Sequence, residues 1–167
     1  MQVTHKSRSA EARSRLFLEM ASECSADRRV EFEAFLEAAI VFGRAALHRF
    51  QTRHVRHPQW KQWWDGLRKN PSIEFFRTER DRLLKEASPK IGQKAFVGSV
   101  VVRRAGDSPP GNEPTKAGDF YFFEGPEVPA AVTVDRHLRE LERVLKEAEA
   151  VFVRSTNELG VTAQLRR

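Results

Sequence analysis

The sequence predicts a mainly α-helical protein, an up-and-down helical bundle with a small β-hairpin before its last helix. Apolar residues recur every three or four positions in five segments. Two runs of strand-forming residues flank a Gly- and Pro-rich stretch between the fourth and fifth of these segments. With 167 residues, the chain has the usual size of one domain. We therefore expect a single domain, 1–167, with the bundle core over 1–94, the hairpin over 95–125, the last helix over 134–154 and a frayed tail over 155–167.

The first two helices are predicted by their apolar stripes. The first helix, about 7–24, has a stripe formed by Leu16, Phe17, Met20, Ala21 and Cys24. Ser25 or Asp27 is expected to cap the second, longer helix. Two neighbouring stripes run along that helix: Phe32, Phe35, Ala39, Phe42, Ala46 and Phe50, and beside them Leu36, Ile40 and Leu47. Such a wide apolar surface predicts a central helix packed on two sides, and Gly43 in its middle predicts a close helix crossing.

Proline marks the start of the next two helices. Pro58 suits the first turn of a short third helix, of which Trp60, Trp64 and Leu67 are expected to be mostly buried and Trp63 partly exposed. Asn70 is the expected cap of the fourth helix, about 71–87. Its apolar stripe contains Ile73, Phe76, Leu83, Leu84 and Ala87. Arg80 falls on the same stripe, where an unpaired guanidinium is costly, so we expect Arg80 to have a partner.

The remaining elements are a hairpin and a last helix. Mostly β-branched residues over 96–102 predict one strand, and the aromatic run over 119–124 predicts the other. Gly92 is expected in the turn that ends the helical region. The last helix, about 135–154, is predicted by the spacing of Leu138, Leu141, Leu145, Ala148 and Phe152.

Composition excludes several classes of function. No apolar run has the length of a signal peptide or a membrane span, so we expect a cytoplasmic protein without a membrane partner. Cys24 is the only cysteine; it rules out an intramolecular disulfide and a zinc ribbon, and we expect it in the core. His48, His54 and His57 lie among cations without a nearby carboxylate, which argues against a metal site. We expect no cofactor.

Positive charge is concentrated in one segment. The net charge is +6, which permits an anionic partner. From Ala38 to Ile73 there is one acid, Asp65, against seven bases: Arg44, Arg49, Arg53, Arg56, Lys61, Arg68 and Lys69. Cations can contact phosphates and a tryptophan can stack on a base. The residues expected to bind nucleic acid are Arg49, Arg53, Arg56, Lys61 and Trp63; the alternative is an ordinary solvated face.

The central and fourth helices resemble a known family. The segments AFLEAAIVFGRAALHRF, W-x2-WW-x2-L and NPSIEFFRTERDRLLKE are similar to the HEPN superfamily of helical bundles, over roughly residues 30 to 90. In that family an arginine and a histidine, four to six residues apart, meet their symmetry mates across a dimer interface. Together they form a metal-independent ribonuclease site. The resemblance therefore implies a homodimer.

One position departs from the family pattern. Carried over, Arg80 matches the arginine, Asp81 takes the place of the frequent asparagine, and Lys85 stands where the histidine would be. A lysine with a pKa of about 10.4 is a poor proton shuttle at neutral pH, where a histidine of about 6.5 is suited. We expect a non-catalytic HEPN-like module that binds RNA or a partner protein, in a toxin–antitoxin or defence context. Two alternatives are a metal-independent endoribonuclease and a helical interaction scaffold without nucleic-acid binding.

Overall fold

The computed structural model describes residues 5–25, 27–85, 91–93, 121–123 and 128–164. Within these ranges the chain forms a helical bundle with one antiparallel hairpin before the last helix, as predicted. The helices are α1 (His5–Ser22), α2 (Arg29–His54), α3 (Trp60–Leu67), α4 (Pro71–Lys85) and α5 (Ala130–Gln164), and the strands are β1 (Ile91–Gln93) and β2 (Tyr121–Phe123). None of the helices within these ranges combines the length and the hydrophobicity that a membrane span requires.

The buried face of α1 matches the predicted stripe only in part. Ala21 is buried as predicted, but Leu16 is 52% exposed, and the helix also buries Ala10, Ser14 and Leu18. The Ser14 hydroxyl donates a hydrogen bond to the Ala39 carbonyl of α2 at 2.7 Å. Because that bond satisfies the hydroxyl, a serine can lie in the interface, and small residues let the two helices approach closely. Cys24 is fully buried, as expected.

The central helix, α2, packs against α1, α4 and α5. The predicted close crossing at Gly43 is confirmed, because a Cβ at this position would overlap the ring of Phe76 in α4. The predicted cap is wrong. Arg28 occupies the N-cap position and makes no capping bond with its side chain, and the Ser25 hydroxyl bonds to the Asp27 carboxylate instead.

The predicted cap of α4 is confirmed. The Asn70 side-chain oxygen accepts hydrogen bonds from the backbone N–H groups of Ser72 at 2.9 Å and Ile73 at 3.4 Å. Ile73 and Phe76 are buried as predicted, and Leu83 packs against the core. The side chains of Leu84 and Ala87 lie outside the described residues.

The hairpin begins earlier than predicted. Ile91 pairs with Phe123 and Gly92 with Phe122, so Gly92 lies in a strand and not in a turn. The predicted strand over 96–102 lies outside the described residues. Tyr121 anchors the hairpin to the bundle: its ring stacks on Phe32 with centroids 4.1 Å apart, and its hydroxyl donates to the Ser25 carbonyl at 2.8 Å.

The last helix, α5, is longer at both ends than predicted. Its first residues, Ala130 and Ala131, are buried, which explains a start before position 135. The helix continues to Gln164, so the expectation of a frayed tail from 155 is wrong over 155–164. The predicted apolar stripe is confirmed: Leu138, Leu141, Leu145, Ala148 and Phe152 are all buried.

Candidate functional site

Residues 48–69, called the basic end below, comprise the last turns of α2, the connection to α3, and α3 with its C-terminal turn. Arg56, Lys61 and Lys69 are exposed there. None of these three forms an ion pair with a carboxylate in the described part of the chain. Asp65, the single acid of the segment, lies 3.7 Å from Arg68 of its own helix. The basic end thus presents positive charge to solvent.

Arg49 and Arg53 are more firmly held. Both line a shallow groove with Ser9 and Thr52. Arg49 donates to the Ser9 hydroxyl at 3.3 Å. Arg53 lies 3.4 Å from the Glu149 carboxylate of α5, and its side chain is only 16% exposed. The structure therefore places these two arginines together at the edge of the basic end, with Arg53 turned towards α5.

Trp63 lies in an aromatic cluster. Its ring centroid is 5.4 Å from that of Phe50 and 5.6 Å from that of Phe152. Trp63 and Trp64 are both partly exposed but largely buried against the core, which agrees with the predicted burial of Trp64 and partial exposure of Trp63. Trp64 stacks on Trp60 at 5.4 Å. Most of the tryptophan surface therefore stabilises the contact of α3 with α2 and α5.

Two histidines flank the same cluster. The rings of His54 and His57 lie 5.0 and 4.6 Å from that of Phe152. Burial lowers the pKa of His54, and the neighbouring Arg53 and His57 lower it further. In the described residues no group of three or more His, Cys, Asp or Glu side chains could hold a metal ion.

The motif suggested by the resemblance lies on α4. Arg80 and Asp81 form an ion pair at 2.9 Å with both side chains almost half exposed. The expected partner of Arg80 is therefore its chain neighbour, and Arg80 is not enclosed by apolar residues. The hydrogen bond from Arg80 is the main cause that lowers the pKa of Asp81, with smaller contributions from Lys85 and Arg44. Arg80, Asp81 and Lys85 thus share one electrostatic neighbourhood.

His137 of α5 contacts another part of α4. Its Nδ1 lies 2.9 Å from the Ser72 hydroxyl, and its ring stacks on Phe75 at 4.1 Å. Burial, and then Arg136, lowers its pKa. These contacts are in the first two turns of α4, whereas Arg80 lies further along the helix.

Arg44 of α2 is one of the bases counted in the segment from Ala38 to Ile73, but it is not among the residues that the sequence predicts to bind a ligand. Its Nη1 atom is buried and has no hydrogen-bond partner in the described part of the chain. Burial is the main cause that lowers the Arg44 pKa, and the nearby Arg80 and Arg77 add to it. The signal was available, because Arg44 follows Ile40 by four positions and precedes Leu47 by three, and both are on a predicted stripe.

Comparisons with known proteins were made with protein-family models, with curated proteins and with solved structures. None of them finds a match. The functional interpretation of this chain therefore depends on its own residues: the cations of the basic end, the aromatic cluster behind them, and the arginines along α2 and α4.

Proposed function

We propose that this protein is a non-catalytic, HEPN-like helical module that binds RNA through its basic end. The observation that carries the proposal is the exposure of Arg56, Lys61 and Lys69 without ion-pair partners in the described residues. These cations lie close together in sequence around one short helix, so their positive potentials add. A polyanion that contacts them releases the counterions that it had condensed, which is the main driving force of such binding.

An RNA partner accounts better for this surface than a protein partner does. The aromatic residues next to the cations pack inward on Phe50 and Phe152, which leaves charge as the dominant exposed chemistry. Protein interfaces are depleted in charged residues at their centre. Exposed Lys and Arg side chains commonly contact phosphates, and Lys61 and Lys69 are exposed.

Salt dependence tests the proposal. We expect a fluorescein-labelled single-stranded RNA to bind with an affinity that falls steeply with salt. The combined substitution Arg56→Ala, Lys61→Ala and Lys69→Ala should reduce the slope of log Kobs against log salt by about two, because each phosphate contact in a single strand contributes about 0.7.

A matched control is available on α5. Arg136, Arg139 and Lys146 are exposed, and replacing all three by Ala removes the same charge from another surface. The proposal predicts that this control keeps the wild-type slope. If the wild type binds no RNA at low salt, or if both triple variants lose the same slope, the basic end is not the RNA-binding surface.

The absence of catalysis is the second part of the proposal. Proton transfer from a ribose hydroxyl needs a group poised near neutral pH, and Lys85 stands where the family has histidine. His137 is engaged by Ser72 and Phe75. We expect no RNA cleavage without metal, measured on structured and unstructured RNA by gel electrophoresis. Cleavage that disappears in Arg80→Ala or His137→Ala would support the ribonuclease alternative.

We also propose that the protein is a homodimer, as the resemblance implies. Val41 of α2 and Leu16 of α1 are exposed apolar residues on the first two helices of the bundle. A two-fold dimer is the commonest oligomer. Light scattering at micromolar concentration should give twice the monomer mass of 19.2 kDa; the monomer mass itself would contradict the proposal.

A further inference from the structure

Arginines from α2, α4 and the C-terminal end of α3 line one narrow cleft. The cleft includes Trp64 and Arg68 of the basic end but not its exposed, unpaired cations Arg56, Lys61 and Lys69. Its lining contains three apolar residues, Leu47, Trp64 and Ile73, and three arginines: Arg44 of α2, Arg68 directly after α3 and Arg77 of α4. Arg68 and Arg77 are exposed, so we call the three arginines the rim. The cleft is partly open, and its volume of about 30 Å³ has room for two or three oxygen-sized atoms but not for a nucleobase.

The three arginines are not equivalent. Arg68 lies 3.7 Å from Asp65 and Arg77 lies 3.4 Å from Glu74, so each is paired one turn away on its own helix. Arg44 forms no such pair in the described residues, and its Nη1 is buried without a hydrogen-bond partner. A buried, unsatisfied donor is costly, and more so when it carries charge.

Like charges increase this cost. Arg77 and Arg80 both disfavour the charged form of Arg44, and Asp81 offsets them only in part. A guanidinium stays protonated in proteins, so Arg44 cannot relieve the repulsion by losing its proton. If the Arg44 side chain turns into the cleft, an anion bound there can accept a hydrogen bond from Nη1, which satisfies the donor and screens the neighbouring arginines.

We propose that this cleft binds a phosphate group, either inorganic phosphate or the terminal phosphate of a phosphomonoester. Arginine forms paired, charge-assisted hydrogen bonds to phosphate oxygens, and the converging rim supplies more than one guanidinium. Glu74 is the one carboxylate that lines the cleft. Its side chain is 59% exposed, so it can turn into solvent when phosphate takes its place beside Arg77. The proposal does not depend on RNA binding by the basic end.

Thermal unfolding with inorganic phosphate tests the proposal, against sodium chloride at matched ionic strength. Phosphate at about tenfold above its Kd should raise the Tm of the wild type by about 3 °C or more. Arg44→Met should lose this increase and bind phosphate at least tenfold more weakly by calorimetry. The control Arg136→Met removes an exposed charge from α5 and should keep both the increase in Tm and the affinity for phosphate.

Further arms identify the source of the phosphate and guard against misfolding. A trinucleotide RNA with a 5′-phosphate is compared with its 5′-hydroxyl form. Stronger binding of the 5′-phosphate form would identify the end of a nucleic acid as the ligand of the cleft. If inorganic phosphate binds and neither trinucleotide does, the ligand is a small phosphate. Arg77→Gln, at an exposed position, should weaken phosphate binding even if Arg44→Met does not fold. The proposal would be overturned if phosphate did not raise the Tm of the wild type more than sodium chloride does. It would also be overturned if phosphate raised the Tm of Arg44→Met and of Arg77→Gln as much as that of the wild type.

Discussion

The central helix, α2, packs against α4 and α5 through different interactions. Where α2 crosses α4, the contact depends on the absence of a side chain at Gly43, which leaves room for the Phe76 ring, and the nearby Arg44 has a buried Nη1 without a partner in the described residues. Where α2 contacts α5, Phe50 lies 6.0 Å from Phe152, and Arg53 pairs with Glu149. The first contact is tight and leaves one arginine without an ion pair in the described residues; the second is aromatic and has its arginine paired.

The difference shows what an apolar stripe does and does not determine. Both contacts follow from residues that recur at helical spacing, but the partner of each arginine is set by the helix it faces. Arg53 faces an acidic position of α5, whereas Arg44 faces Arg77 and Arg80 of α4. Of these two arginines, Arg44 is therefore the better candidate for binding a ligand, because it has no carboxylate partner in the described residues.

Substitution of Gly43 should produce the largest effect. Gly43→Ala places a methyl group against the Phe76 ring, and we expect a loss in the free energy of unfolding of about 1–3 kcal/mol, the usual cost of overpacking. Urea denaturation measures it. Adding Phe76→Leu to Gly43→Ala should recover part of the loss, which a double-mutant cycle would detect as coupling.

Gly66 of α3 provides the control. A Cβ there would meet nothing within 4 Å, and alanine is favoured over glycine inside a helix by about 0.8–1.0 kcal/mol. Gly66→Ala should therefore leave the stability unchanged or raise it. Equal destabilisation by the two substitutions would contradict the steric account of the α2–α4 crossing.

The sequence predicts much of the bundle, because its signals are local. Asn70 caps α4 through its own side chain, and the stripe from Leu138 to Phe152 has regular spacing along one helix. Gly43 is also readable, since a glycine in the middle of a long apolar helix is costly unless a neighbour needs the space.

Other features are set by contacts distant in sequence. Leu16 is as apolar as Leu18, but Leu16 is exposed and Leu18 is buried, because the face of α1 that meets α2 includes the buried serine at position 14, bonded to Ala39. The start of α5 at Ala130 depends on burial of small residues that carry little periodic signal.

For the candidate site, the exposed cations of the basic end could be found by counting charges. The cleft at Arg44 could not, because its rim comes from three separate helices.

Mild acid should weaken the α2–α5 contact, with a smaller effect than Gly43→Ala. The His54 pKa is lowered in the folded protein by burial, Arg53 and His57, and the His137 pKa by burial and Arg136. Their ordinary value is about 6.5. Between the folded and unfolded pKa values the unfolded chain binds more protons, so the free energy of unfolding is constant above about pH 6.5 and falls as the pH is lowered through the folded values. Urea midpoints from pH 7.5 to pH 5 should show this decrease.

In His54→Gln the decrease should be smaller, because one of the two neutral histidines is gone, while His48→Gln, at an exposed position of the same helix, should behave like the wild type. Stability that rises on acidification, or an equal change in the two variants, would show that His54 is not held neutral against Phe152.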